Sequence, residues 1–412
     1  MVGGVSLAHS RSGHAQIAPE DPQEAAEDTS LPSIAIHGFV SQGAFLSTDN
    51  DYLGHSERGS VEFLEAAVNV QTQLTDKLRV GAQLFTRDLG PIGNYAMVLD
   101  WAYLDYRWRD WLGLRAGRIK MPFGLYNEFA DVDAARLPIL LPQSVYSIVD
   151  RDFLLAQTGT AIYGSTPLTV AGGIDYQAFG GTVFVDANSS ALVVNGPVEL
   201  DSVDTKYAAG GQLFWRAPLP GLRLGGSYLR TNLDFHFSTD AATAAALVAT
   251  GMVPPDFDGT FTYDYRNINL AVGSVELARG DWLLSAEYSR WMFDVVNSVP
   301  MLLPEIEVDS ERFYGMLAYR LTDQLEAGTY YSVVFADAGD RDGKSDRFTE
   351  SHRAYQKDLA VSTRFDVNDF WLWKLEAHYM DGTAEVLDPD PMDHDDLARH
   401  WGFFLVKTTV TF

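Results

Sequence analysis

The stretch Leu359-Ala-Val-Ser-Thr-Arg-Phe365, then Asp366-Val-Asn-Asp369, then Trp373-Lys-Leu-Glu-Ala-His-Tyr379 decides how the chain folds. In the first run Leu359, Val361 and Phe365 share one face, and Ser362 and Arg364 share the other. Two-residue alternation is the period of a strand with two unlike faces. The second run repeats it, and the residues between are turn formers at hairpin spacing. Leu78–Leu84 and Trp282–Tyr288 read the same way.

Working outward, sixteen such runs are expected. In the first half they lie at 34–46, 60–73, 77–88, 97–108, 111–120, 158–165, 168–178 and 204–216. The second half adds 221–236, 261–278, 281–296, 308–321, 324–337, 352–366, 370–382 and 399–412. Strands of roughly 9–11 residues or more suit a bilayer crossing better than a soluble sandwich, whose strands average about 5–6. The connections alternate strictly. Short ones fall at 74–77, 109–110, 165–167, 218–221, 279–281, 321–324 and 366–369, and long, polar ones lie between them. An even strand number with short turns at one end and long loops at the other is the organisation of membrane-spanning barrels.

Composition sets the outer limits. The chain has 412 residues, yet no stretch approaches the roughly 20 apolar residues of a transmembrane helix. Closed barrels are the other way to satisfy every backbone polar group in lipid. There is no cysteine, hence no disulfide, thiolate metal site or covalently attached c-type haem. A net charge of −26 disfavours nucleic-acid binding. Residues 1–33 read as a secretory-signal remnant, with Gly13-His14-Ala15 as a cleavage site, followed by an acidic disordered lead-in. Residues 34–412 form one barrel.

Aromatic residues gather near expected strand ends: Trp101, Tyr103, Trp108, Trp111, Trp215, Trp282, Trp291, Trp371, Trp373, Trp401, Phe403 and Phe404. They read as interface girdles, with core packing as the alternative for each. The chain closes on an alternating strand that ends in Phe412.

The segment Leu114-Arg-Ala-Gly-Arg-Ile-Lys-Met-Pro-Phe-Gly-Leu-Tyr-Asn-Glu128 resembles the corresponding strand and loop of Gram-negative outer-membrane porins. In style it is closest to the phosphate-selective porin branch. The resemblance implies an all-β, sixteen-stranded antiparallel barrel with short periplasmic turns and long extracellular loops. It further implies a homotrimer, contact with outer-membrane lipid and lipopolysaccharide, and a third loop folded into the channel. The longest loop, Met121–Thr158, is the third.

A porin's chemistry is the field and width of its constriction. With the more apolar row of each strand facing lipid, the other row carries Arg79, Arg87, Arg107, Arg115, Lys206, Arg216, Arg223, Arg312, Arg320, Arg364, Lys374 and Lys407. It carries fewer acids: Glu65, Asp105, Glu287, Glu326, Asp358 and Glu376. The expected lumen is therefore basic in an acidic protein. Cross-strand pairing of these charges is the alternative. A phosphate site requires a dense Lys/Arg cluster, whereas the third loop offers Glu128, Asp131, Asp133, Asp150 and Asp152 against Arg136 and Arg151. An acidic loop facing a basic wall gives a transverse field that orients polar solutes. The constriction is thus assigned to Arg79, Arg87, Arg107, Arg115, Arg118, Lys120, Glu128, Asp131, Asp133, Arg136, Arg320, Arg364 and Lys374. Around Gly117-Arg118-Ile119-Lys120 both rows carry unsuitable residues, and either a bulge or a strand that has already left the membrane is expected.

Asp388, Asp390, Asp393 and Asp395 are weak divalent-cation candidates, as is the run Asp337–Gly343, but neither has EF-hand spacing and a solvated loop is the plainer reading. Asp240–Ala249 reads as a short helix capped by Asp240. No nucleophile elbow, phosphate loop or His-Glu-x-x-His motif is present. The expected function is a non-enzymatic, cofactor-free diffusion channel for small hydrophilic solutes, anions among them. A sheath for a partner such as a periplasmic electron carrier, and an outer-membrane hydrolase, are the alternatives.

Overall fold

A computed structural model describes residues 33–90, 92–185, 198–302, 305–345, 347–386 and 397–412. The expected signal remnant and lead-in lie, but for Ser33, outside the described residues. The first eight strands are Ile34–Ser47 (β1), Phe63–Thr75 (β2), Leu78–Leu89 (β3), Met97–Arg109 (β4), Leu112–Lys120 (β5), Ala156–Pro167 (β6), Gly173–Val183 (β7) and Val198–Arg216 (β8). The others are Leu222–Thr239 (β9), Thr260–Arg279 (β10), Trp282–Asn297 (β11), Ile306–Arg320 (β12), Leu325–Phe335 (β13), Tyr355–Asn368 (β14), Trp371–Gly382 (β15) and His400–Thr411 (β16). Each pairs antiparallel with its chain neighbours, and β16 returns to β1, so the sheet has no edge. Two backbone bonds between Gly38 and Phe412, at 2.9 and 3.0 Å, fasten the seam.

The sequence reading of β7 is corrected. Residues 168–172 form a tight turn with Thr169 at φ 55° and Gly172 at φ 89°, and the strand begins at Gly173. The turn takes the first five residues of the expected strand. Elsewhere the short turns are closed by side chains as their composition suggests. Leu78 donates to Thr75 Oγ1 at 3.1 Å, Leu325 to Thr322 Oγ1 at 3.0 Å, and Phe370 to Asn368 Oδ1 at 3.1 Å. The expected helix forms over Ala241–Thr250, and the Asp240 carboxylate accepts from Ala242 and Thr243.

Wall height is uneven. β1–β5 have 14, 13, 12, 13 and 9 residues, whereas β8–β11 have 19, 18, 20 and 16. On β9 the exposed outward row runs Leu224 to Tyr228 and then turns polar through Arg230 and Asn232 to Asp234 and His236. The tall strands therefore stand well above the apolar belt. Trp108, Trp111, Trp215, Trp282, Trp371, Trp373 and Phe404 do lie exposed on the outward face. Trp291, Trp401 and Phe403 do not; they turn inward and are buried, and Tyr103 lies beside Arg115 in the inward row. Periodicity separates two faces but does not say which is outside when both carry aromatics.

Candidate functional site

The connection from Met121 to Leu155 enters the barrel and crosses it, and most of it is buried. Its tip is held against the tall wall. Gly124 N–H donates to Ser227 Oγ on β9 at 2.8 Å, and Leu125 N–H to Glu287 Oε1 on β11 at 2.9 Å. Gln212 on β8 donates to the Gly124 carbonyl at 2.6 Å. Gly124 sits at φ +62°, where a Cβ would fall 2.3 Å from the Tyr146 hydroxyl, so only glycine fits this approach. Glu287 also accepts from Tyr314 at 2.8 Å, Ser274 at 2.5 Å and Tyr146. Around these bonds Met121, Phe123 and Tyr126 share an apolar cluster with Phe179, Phe214 and Leu270 of the wall.

The following limb, Glu128–Arg136, is held by charge. Asp131 receives Lys120 Nζ at 2.7 Å and Arg151 Nε at 2.8 Å. Lys120 lies 3.2 Å from Asp100 on β4, and Asp100 accepts from Gln83 on β3 at 2.6 Å. Burial raises the Asp131 carboxyl, but Arg151 and Lys120 outweigh it and hold it well below the usual carboxylate range. Nearer the β1–β16 seam Asp133 receives Lys374 at 2.9 Å, Lys407 at 3.2 Å and Thr409 Oγ1 at 2.7 Å. Lys407 continues to Glu65 on β2 at 2.5 Å. Asp133 is likewise held low against the opposing effect of burial, by Lys374 and Lys407. Arg364 reaches the Ala134 carbonyl at 2.6 Å, and Arg136 caps the Ala130 and Pro138 carbonyls at 3.1 and 2.6 Å. Beyond the limb, Ile139 and Leu140 N–H groups donate to Glu376 on β15 at 2.7 and 2.9 Å.

A more accessible part of the inward surface lies against β3–β6. Arg79 donates to Asp105 at 2.9 Å, Arg115 to the same carboxylate at 3.3 Å, and Arg115 approaches Glu128 of the loop at 4.0 Å. The Arg115 guanidinium lies 4.3 Å from the Tyr163 ring centroid. With Arg107 exposed on the same row, three guanidinium groups face two carboxylates.

The structure thus disperses the expected constriction over several places. Arg79, Arg107, Arg115 and Glu128 form the accessible polar sector. Lys120 and Asp131 form one buried cluster, and Asp133, Lys374, Arg136 and Arg364 surround the other. Arg87 is buried in the inward row, and Arg320 sits apart beside Glu326 at 3.9 Å. Arg118 is a correction. Its register partners are Ala102 and Thr158, which are in the outward row, and its Nε bonds the Asp100 carbonyl at 3.2 Å. Asp100 escaped the sequence reading because a register shift between Gln83 and Leu84 breaks the parity of β4. Arg312 pairs with Glu385 at 3.2 Å over the Trp291 ring, and no local spacing signals that contact.

The weak cation candidates Asp388, Asp390, Asp393 and Asp395 lie outside the described residues. Asp337 and Asp340 cap their own loop, accepting from Gly339 at 2.7 Å and from Lys344 and Ser345 at 2.9 Å. Among the described residues no group of three His, Asp or Glu is placed to hold a metal.

No protein-family model matches the chain. No curated protein sequence matches it either. Solved structures do match in shape. OmpF of Salmonella typhi, solved with daunomycin, superposes at a TM-score of 0.55 with 10% identity over 92% of this chain and 97% of its own. An anion-selective porin from Comamonas acidovorans gives 0.53 and 10% over 93% and 100%. A trimer form of OmpT from Vibrio cholerae gives 0.50 and 12% over 93% and 100%. At such identities the likeness is one of fold, and the fold of this chain is the sixteen-stranded barrel of outer-membrane porins.

Proposed function

We propose that this chain is a passive channel of the bacterial outer membrane for small hydrophilic solutes, with a slight preference for anions. The observation that carries it is the closed barrel with an apolar outward belt, narrowed from within by its third loop. In the accessible sector Arg79, Arg107 and Arg115 exceed Asp105 and Glu128 by one charge. The other lumen cations are largely paired: Arg223 with Glu276 at 2.8 Å, Arg364 with Asp366 at 2.8 Å, Lys374 with Asp133 at 2.9 Å. Such pairing supports a weak general anion preference over the dense cationic cluster a phosphate site needs.

The lumen is occupied by the chain's own loop, which argues against a sheath around a partner protein. A hydrolase finds no support at His378. Both ring nitrogens face carboxylates, Asp358 and Glu376, at 3.0 Å, and the nearby Ser362 donates to Glu376. A homotrimer accords with the trimer form of the structurally similar OmpT of Vibrio cholerae. Lipid would cover the rest of the belt. Lipopolysaccharide would meet the polar row above it, where Lys206 and Arg266 lie among carboxylates.

Proteoliposome swelling tests the reading. Sugars should enter at rates that fall with molecular size, and the reversal potential in a KCl gradient should show chloride slightly favoured. Liposomes that stay impermeable to every solute and ion would overturn it.

A further inference from the structure

Four observations bear on the state of this channel. First, every strand carries at least one inward-facing residue that is buried, including polar ones that a water-filled lumen would wet: Ser41, Gln83, Asp105, Glu287, Glu376 and Lys407. Second, the third loop touches three sectors of the wall at once. Asp131 and Arg151 meet Lys120 and Asp100 on β5 and β4, the tip bonds Ser227 and Glu287 on β9 and β11, and Asp133 meets Lys374 and Lys407 on β15 and β16. Third, the remaining sectors are filled by apolar contact. Phe123 packs with Phe179 on one side, and Ile139 and Leu140 with Phe45, Phe63 and Phe403 on the other. Fourth, the two ends of the loop are held differently. The tip has no ion pair among the described residues, whereas the Glu128–Arg136 limb is fixed by two compact clusters, each of two cations and two carboxylates.

We propose that the third loop is a gate, described here shut, in which the apolar tip is the fixed end and the limb carrying Asp131 and Asp133 is the moving one. Apolar packing has no partner to exchange for outside the protein, so the tip stays. Buried ion pairs are different. Water repays much of what breaking them costs, because their desolvation penalty is comparable to their Coulombic gain. Each cluster is balanced in charge while shut, so withdrawal of its limb carboxylate leaves one positive charge in excess, Lys120 and Arg151 against Asp100 and Lys374 and Lys407 against Glu65, which the water entering the opened lumen hydrates. Withdrawal of the limb would join the Arg79–Arg115 sector to the mouth and bare Lys120, Lys374 and Lys407 to the solute path. An opened channel is therefore more strongly anion-attracting than the shut one.

The inference rests on the channel reading above, and one reversible experiment separates the two. The chain has no native cysteine, so Asp133→Cys with Thr409→Cys creates the only thiol pair, at side chains now 2.7 Å apart. Reduced, the double variant lacks one charge cluster; oxidised, it carries a covalent fastener in its place. Single-channel recording in a lipid bilayer should show conductance above wild type when reduced, its loss on oxidation, and its return with reductant. Asp131→Asn, nearly isosteric, guards against a folding defect in the double variant and should also raise the open fraction. Equal conductance in both redox states, with Asp131→Asn like wild type, overturns the gate and leaves the channel. Silence in every variant and in wild type overturns both.

Discussion

The two ends of one loop meet the same barrel by different chemistry. From Met121 to Tyr126 the loop is anchored by rings packed on the tall wall and by its own backbone N–H groups bonded to Ser227 and Glu287. From Glu128 to Arg136 it is anchored by Asp131 and Asp133, each gripped by two cations. The tip sits on inward faces that hold Phe179, Phe214 and Leu270, while the limb faces rows that hold Lys374, Lys407 and Lys120. What differs is the ease of reversal. A packed ring leaves a cavity when it moves, but a carboxylate exchanges a buried ammonium for water.

The largest effect should come from the limb. Asp133→Ala leaves Lys374 and Lys407, both fully buried, short of a counter-charge. Unfolding measured by the temperature dependence of gel mobility should reveal a loss of about 3–5 kcal/mol. A loss near zero would show that water already reaches the cluster. At the tip, Phe123→Ala should cost about 3 kcal/mol through the cavity it leaves, without altering the pH dependence of stability. An equally strong pH response in both variants would erase the distinction.

A third effect lies where the loop meets the β15–β16 connection. Burial, reinforced by the Asp150 carboxylate, pushes Glu385 up to about 7 against the pull of Arg312. A raised carboxyl binds its proton more tightly in this arrangement than in the unfolded chain. Its contribution is complete below the ordinary value of 4.5 and is lost as pH rises through about 7. Thermal stability should therefore fall between pH 5 and 8, by on the order of 2 kcal/mol, and Glu385→Gln should flatten that slope. The smallest effect belongs to the accessible sector. Arg79→Ala should change stability by less than about 1 kcal/mol, because a part-exposed pair is worth little. It should nevertheless move the KCl reversal potential toward cations, since it removes the one charge by which arginines exceed carboxylates there.

Much of this was legible beforehand, for a physical reason. Two-residue alternation and turn chemistry are local, so runs such as Leu359–Phe365 and the Asp366–Asp369 turn revealed strands, their number and their order. The loop that enters the barrel was legible from its length. The partners of its charges were not. Asp100 reaches Lys120 only because β4 shifts register between Leu99 and Trp101, and Arg118, in a stretch where both rows carry unsuitable residues, lies outward. The lumen cations that the sequence shows as a basic row find their acids across strands and from the loop, as Lys407 finds Glu65 and Asp133. Those pairings join residues hundreds of positions apart, and no spacing encodes them. The inward aromatics Trp291, Trp401 and Phe403 escaped for a related reason, since a ring packed on a loop and a ring at a lipid interface obey the same period.

The measurement that bears most directly on the account is the single-channel conductance of the wild-type protein beside that of Asp131→Asn. The account predicts that the wild type dwells mostly in a shut level with brief openings, and that the variant spends more time open at the same or larger amplitude. A large, steady conductance, identical in the two proteins, would contradict it.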